Sequence, residues 1–68
     1  MKPPVFSISN CTPEGRMFTL YPDLNRLVWE PIGEIGPISI PLKNGQDDYM
    51  DILYCLRNGE SFHHFLAV

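Results

Sequence analysis

The stretch Arg16-Met17-Phe18-Thr19-Leu20-Tyr21-Pro22-Asp23-Leu24-Asn25-Arg26-Leu27-Val28-Trp29-Glu30 decides the fold. From Arg16 to Tyr21 the side chains alternate, with Met17, Thr19 and Tyr21 on one side and Phe18 and Leu20 on the other, the two-residue period of a strand. Both sets are apolar enough for cover on two faces. Pro22 suits the first corner of a turn, Asp23 bonds its own backbone readily, and Asn25 tolerates the left-handed region. Arg26 to Glu30 then alternates again, Leu27 and Trp29 against Val28 and Glu30, in residue types that strands favour. The whole reads as a β-hairpin.

Working toward the amino terminus, Asn10-Cys11-Thr12-Pro13-Glu14-Gly15 collects turn formers, with Gly15 free to take positive φ. Before it, Val5 to Ser9 alternates with Phe6 and Ile8 on one side and predicts a first strand. Working the other way, Pro31-Ile32-Gly33-Glu34-Ile35-Gly36-Pro37-Ile38-Ser39-Ile40-Pro41 is crowded with prolines that forbid helix and interrupt a ladder. Glu30 to Glu34 is expected as loop. Gly36 to Leu42 is expected as an edge strand blunted by Pro37 and Pro41.

One helix is expected over Asn44 to Asn58, its body about 46–58. Tyr49, Ile52, Leu53 and Leu56 stand at i, i+3, i+4 and i+7 and make a single apolar stripe. Asp47, Asp48 and Asp51 favour the positive end of its dipole, Arg57 the negative end, and Gly59 the position just past its close. The cap is expected between Asn44 and Asp47. Ser61 to Val68 is apolar on both alternating faces and predicts a central strand inserted between earlier ones. The expected fold class is α+β, a small antiparallel sheet of four to five short strands with the helix packed on one face. An SH3-like small β-barrel is the alternative reading of the same short strands and Pro and Gly turns.

With 68 residues, 44% of them hydrophobic and 19% charged, the chain (1–68) is expected to be a single domain around one core. No apolar run approaches the roughly 20 residues that span a bilayer, which speaks against a membrane partner. Five Lys and Arg against eight Asp and Glu leave a net charge of −3, the wrong sign for a direct nucleic-acid partner. The segment Met1 to Ser9 lacks the apolar stretch of a signal peptide. Two cysteines, Cys11 and Cys55, are fewer than a secreted disulfide framework needs, so a cytoplasmic location with reduced thiols is expected. Asn10-Cys11-Thr12 fits a glycosylation acceptor, a pattern that matters only on a secretory route.

No motif in the chain carries a chemistry. Cys11, Cys55, His63 and His64 are the soft-metal ligands, but no Cys pair has zinc spacing, and on a strand the adjacent histidines would point to opposite faces. A Cys-His nucleophile is not indicated either, because Cys55 falls near the helix carboxyl end, where the dipole disfavours a thiolate. Asp47, Asp48 and Asp51 lack the interspersed ligands and Gly turn of a calcium loop. Gly33 and Gly36 have no following Lys-Ser or Lys-Thr and open no helix, so they make no phosphate loop. No catalytic residue, metal or cofactor is assigned, and no enzyme is expected.

What remains is surface. One small sheet and one helix cannot enclose every aromatic and Met, and exposed aromatics and Met are common anchors of protein interfaces, with acidic residues at the rim steering a basic partner. The candidate partner-binding residues are Tyr21, Trp29, Glu30, Glu34, Met50 and Tyr54, with Met50 and Tyr54 paired at i, i+4 on a helix flank. The competing expectation is that Tyr21 and Trp29 pack across the hairpin and that Ile32 and Ile35 plug the open end of the sheet. The function expected is that of a non-enzymatic protein–protein interaction module, a small inhibitor or regulator of a larger protein. In genre this compact acidic domain resembles phage-encoded inhibitors such as anti-CRISPR proteins, a likeness that rests on size, on the absence of a chemistry and on the surplus of apolar surface, and that no residue motif carries. The alternative is a structural or regulatory subunit acting as a homodimer, and a third option is a metal-stapled mini-domain.

Overall fold

The hairpin forms where its alternation places it. In the computed structural model, which describes residues 5–30 and 36–67, β2 (Met17–Tyr21) pairs antiparallel with β3 (Arg26–Trp29), setting Phe18 opposite Trp29, Leu20 opposite Leu27 and Tyr21 opposite Arg26. A 3₁₀ turn over Pro22–Leu24 joins them and closes on Asn25 in the left-handed region at φ 52°. Asn is one of the few side chains that visits this region readily.

β1 (Ile8–Cys11) pairs antiparallel with β2, and β4 (Ile38–Pro41) with β3, giving a sheet in the order β1-β2-β3-β4. The described strands form an open meander with β1 and β4 at its edges, rather than the barrel. The first strand begins and ends later than its alternation predicts. Val5 to Ser7 lie outside it, and Phe6 leaves the sheet to meet Tyr49 edge-on at 5.7 Å. Asn10 and Cys11, expected in the turn, are instead strand residues, and the turn narrows to Pro13–Gly15 with Gly15 at φ 88°. Buried Thr12 staples it: its N–H donates to the Arg16 carbonyl at 2.9 Å, and its Oγ1 accepts the Arg16 N–H at 3.0 Å.

One sheet face carries the core. Phe18, Leu20 and Leu27 meet Ile52 and Leu56 from α1 (Gly45–Asn58), with Leu42 and Leu66 closing the cluster. Ile8, Trp29, Ile40, Leu53, Phe62 and Phe65 pack around it, half-buried. The opposite face is not the second apolar layer that Met17 and Tyr21 allow for. Its central row runs Ser9, Thr19, Val28, Ser39 across the four strands, with a Ser9 to Thr19 hydroxyl bond of 2.9 Å, and Met17 is half exposed.

The helix matches its stripe, with Ile52 and Leu56 buried and Leu53 and Tyr49 half-buried. Its carboxyl end closes on Gly59 at φ 69°, whose N–H, with that of Glu60, donates to the Cys55 carbonyl. The amino end differs from expectation, because Asn44 makes no side-chain cap. The Gly45 N–H donates instead to Asn25 Oδ1 at 2.6 Å, so the hairpin turn caps the helix from across the molecule. That approach needs glycine at 45, since a Cβ there would stand 2.8 Å from the Pro22 carbonyl oxygen.

The last segment corrects the expected fifth strand. Ser61 to Ala67 does not insert into the sheet; it makes a 3₁₀ turn over His63–Phe65 and then one antiparallel bridge, Leu42 to Leu66, beside the end of β4. Phe62, Phe65 and Leu66 stand three and four apart, so a helical turn brings all of them to the core side, whereas a strand would split them between faces. Among the described residues no helix is long and apolar enough to cross a membrane. The expected loop at Glu30 to Glu34 falls, after Glu30, outside the described residues, as do Ile32, Ile35 and Glu34.

Candidate functional site

Register builds the site. Because Phe18 faces Trp29, Arg16 lies two residues along the same face and diagonal to the indole, within reach of a long side chain. Its guanidinium carbon stands 4.8 Å from the Trp29 ring centroid, a cation–π distance. Arg16 Nε is buried without a hydrogen bond, and the Glu14 carboxylate, with Oε1 3.8 Å away, and the indole face together offset its charge. The 61–67 segment brings Phe62 to Trp29, ring centroids 5.7 Å apart, and Phe62 in turn stacks on His63 at 5.3 Å.

These side chains border a groove of about 600 Å³ between the sheet and the carboxyl end of α1. Trp29, Ile40, Leu56, Phe62 and Leu66 make its apolar walls, and Glu14, Arg16, Glu60 and His63 make its polar rim. The β1–β2 turn comes close to the end of the helix beside the groove: a Cβ on Gly59 would lie 3.7 Å from Pro13 Cγ. Cys55 also lines the groove, and its thiol pKa is raised, first by burial and then by the charges of Glu60 and Asp51.

Among the described candidate residues, only Trp29 belongs to this groove. Tyr21 is half-buried on the opposite, open sheet face, paired with Arg26, so it does not pack against Trp29 across the hairpin. Glu30 is exposed beyond the end of β3, its N–H donating to the Met17 carbonyl at 3.0 Å. Met50 and Tyr54 are each 60% exposed, two residues from buried Ile52 and therefore on the outer side of the helix, where with Leu53, Arg57 and Asn58 they border a depression of about 240 Å³. Glu34 lies outside the described residues. The candidates thus divide among separate surfaces and do not converge.

Sequence reasoning missed Arg16, Phe62, Glu14 and Glu60. The signal for Arg16 was present, because the Pro22 to Asn25 turn fixes Tyr21 against Arg26 and counting back puts Arg16 beside Trp29. For Phe62 it was the three-residue spacing to Phe65. His63 and His64, expected on opposite faces of a strand, are both exposed on the 3₁₀ turn. Among the described residues no group of three or more His, Cys, Asp or Glu is placed to hold a metal ion, and both cysteines are free thiols. The glycosylation pattern has both outer side chains engaged, Asn10 Oδ1 by the Cys11 N–H and Thr12 Oγ1 by the Arg16 N–H. Compared with protein-family models, curated proteins and solved structures, the chain finds no match in any of the three.

Proposed function

We propose that this chain is a non-enzymatic protein-interaction module, a small inhibitor or regulator that binds a larger protein in the cytoplasm through the groove beside Trp29. The observation that supports it is the groove itself: an apolar trough with a Trp and a Phe in its walls and charged groups on its lips. Trp, Tyr and Arg dominate the energetics of protein interfaces when they sit in pockets ringed by polar groups, and here Trp29 and Arg16 are already stacked on each other. Ordering entropy lost on binding is correspondingly small.

The test places a photoreactive residue at His63, on the groove lip, and separately at Thr19, on the open sheet face, and irradiates the protein in its native cells. The proposal expects a discrete adduct from position 63 and none from position 19. Adducts from position 19 alone would overturn it. A second reading, the homodimer, draws on the outer helix face, where Met50 and Tyr54 are exposed side by side. It requires that face to be buried between copies, and Tyr54→Arg would then abolish self-association.

A further inference from the structure

We infer that the groove takes a basic side chain, Lys or Arg, carried on an extended segment of the partner, with its aliphatic stem against Trp29 and Phe62 and its charged head between Glu14 and Glu60. This rests on the proposal that the groove is the binding surface and adds the chemistry of what enters it. The first argument is charge. Two carboxylates, Glu14 and Glu60, line the groove, and the carboxyl end of α1 adds its negative partial charge at Gly59. Of the two basic side chains on the same rim, Arg16 lies over Trp29 with Glu14 3.8 Å away and His63 stacks on Phe62, while Glu60 makes no ion pair among the described residues. The second argument is shape: long basic side chains bury their methylenes against apolar surface and leave the head at a polar edge, which is how walls and rim are arranged here. Cys55 on the groove wall has its thiol pushed up first by burial and then by the charges of Glu60 and Asp51. The chain's overall charge of −3 steers the same class of partner.

An anionic occupant has the weaker case. It would meet one guanidinium already engaged and two carboxylates, and it would stand at the wrong end of a helix.

The experiment titrates the full chain with blocked pentapeptides, acetyl-Gly-Ala-X-Ala-Gly-amide, in which X is Arg, Lys, norleucine or Glu. Binding is followed by the fluorescence of Trp29, the single Trp, and by the amide shifts of Cys55, Gly59 and Glu60. Saturable binding of the Arg or Lys peptide is expected, at least fivefold tighter than norleucine, weakened by salt, and reduced at least fivefold in Glu14→Gln/Glu60→Gln. Both substitutions are at exposed positions, so the amide spectrum verifies that the fold is retained. Equal binding of norleucine and Lys, or tighter binding of Glu, overturns the basic occupant while leaving the groove as a binding surface. No shift with any peptide at millimolar concentration overturns the groove itself.

Discussion

Asn25 is a position where a single substitution should cost the fold heavily, because three structural demands meet on it. Its backbone sits at φ 52°, its carbonyl accepts the Leu42 N–H at 2.8 Å, and its side chain caps Gly45 at the start of the helix at 2.6 Å. Asn25→Ala retains the carbonyl but loses the other two. Holding an ordinary residue in the left-handed region costs roughly 1–2 kcal/mol, and losing a helix cap about 1 kcal/mol more, toward 2 where the N–H is sheltered as in buried Gly45. The sum, roughly 2–4 kcal/mol, compares with a total of roughly 3–10 kcal/mol for a domain of this size. At about 4–8 °C per kcal/mol, the melting temperature should fall by roughly 8–32 °C. Two further variants separate the causes. Asn25→Gly retains the backbone and loses only the cap, about 1–2 kcal/mol, whereas Asn25→Asp retains an acceptor beside a helix amino terminus and should stay within about 1 kcal/mol of the parent. The assay is urea unfolding of the four proteins with their slopes compared. Equal losses for Gly and Ala would refute the backbone argument, and an Asp variant as weak as Ala would refute the cap.

The remaining predictions concern the helix entry, the last segment and the half-buried thiol of Cys55. Gly45→Ala, which in an open helix would add stability, should cost about 1–3 kcal/mol in thermal unfolding, because its Cβ meets the Pro22 carbonyl oxygen at 2.8 Å. In hydrogen exchange the Phe65, Leu66 and Ala67 amides, bonded to Phe62, His63 and Pro41, should be slow and His64 fast, whereas a central strand would protect His64 as well. Cys55 should alkylate with iodoacetamide more slowly than exposed Cys11 at pH 8, being half-buried with a raised pKa. The fold prefers that thiol protonated, so the stability it contributes is whole below the ordinary thiol pKa of about 8.5 and is lost as pH climbs through the raised value. Cys55→Ala should therefore show a shallower alkaline decline in unfolding free energy than the parent.

Local signals were legible and distant ones were not. Alternation through Arg16 to Glu30, the left-handed Asn25, the apolar stripe of α1 and its Gly59 close are each written within a few neighbouring residues. The open meander depended on where the 61–67 segment goes. There alternating apolarity and three-residue spacing coexist, and only the core, which receives Phe62, Phe65 and Leu66 together, decides between them. The cap of the helix was hidden because its oxygen comes from a residue twenty positions earlier. Trp29 was legible by residue type as a candidate, and the structure places it in the groove wall. Its neighbours Arg16 and Phe62 were not, since one depends on register and the other on the path of the last segment. Met50 and Tyr54 were legible as exposed, but nothing in the sequence placed them on a different surface from Trp29.

The most direct test of the central claim, a groove kept for a foreign protein, is the native mass of the chain across a wide concentration range, measured for the parent and for Trp29→Ala. The account predicts the monomer mass of 7.8 kDa at every concentration for both proteins. A dimer that forms by mass action in the parent and dissociates in Trp29→Ala would contradict it, because the groove would then be filled by a second copy of the same chain.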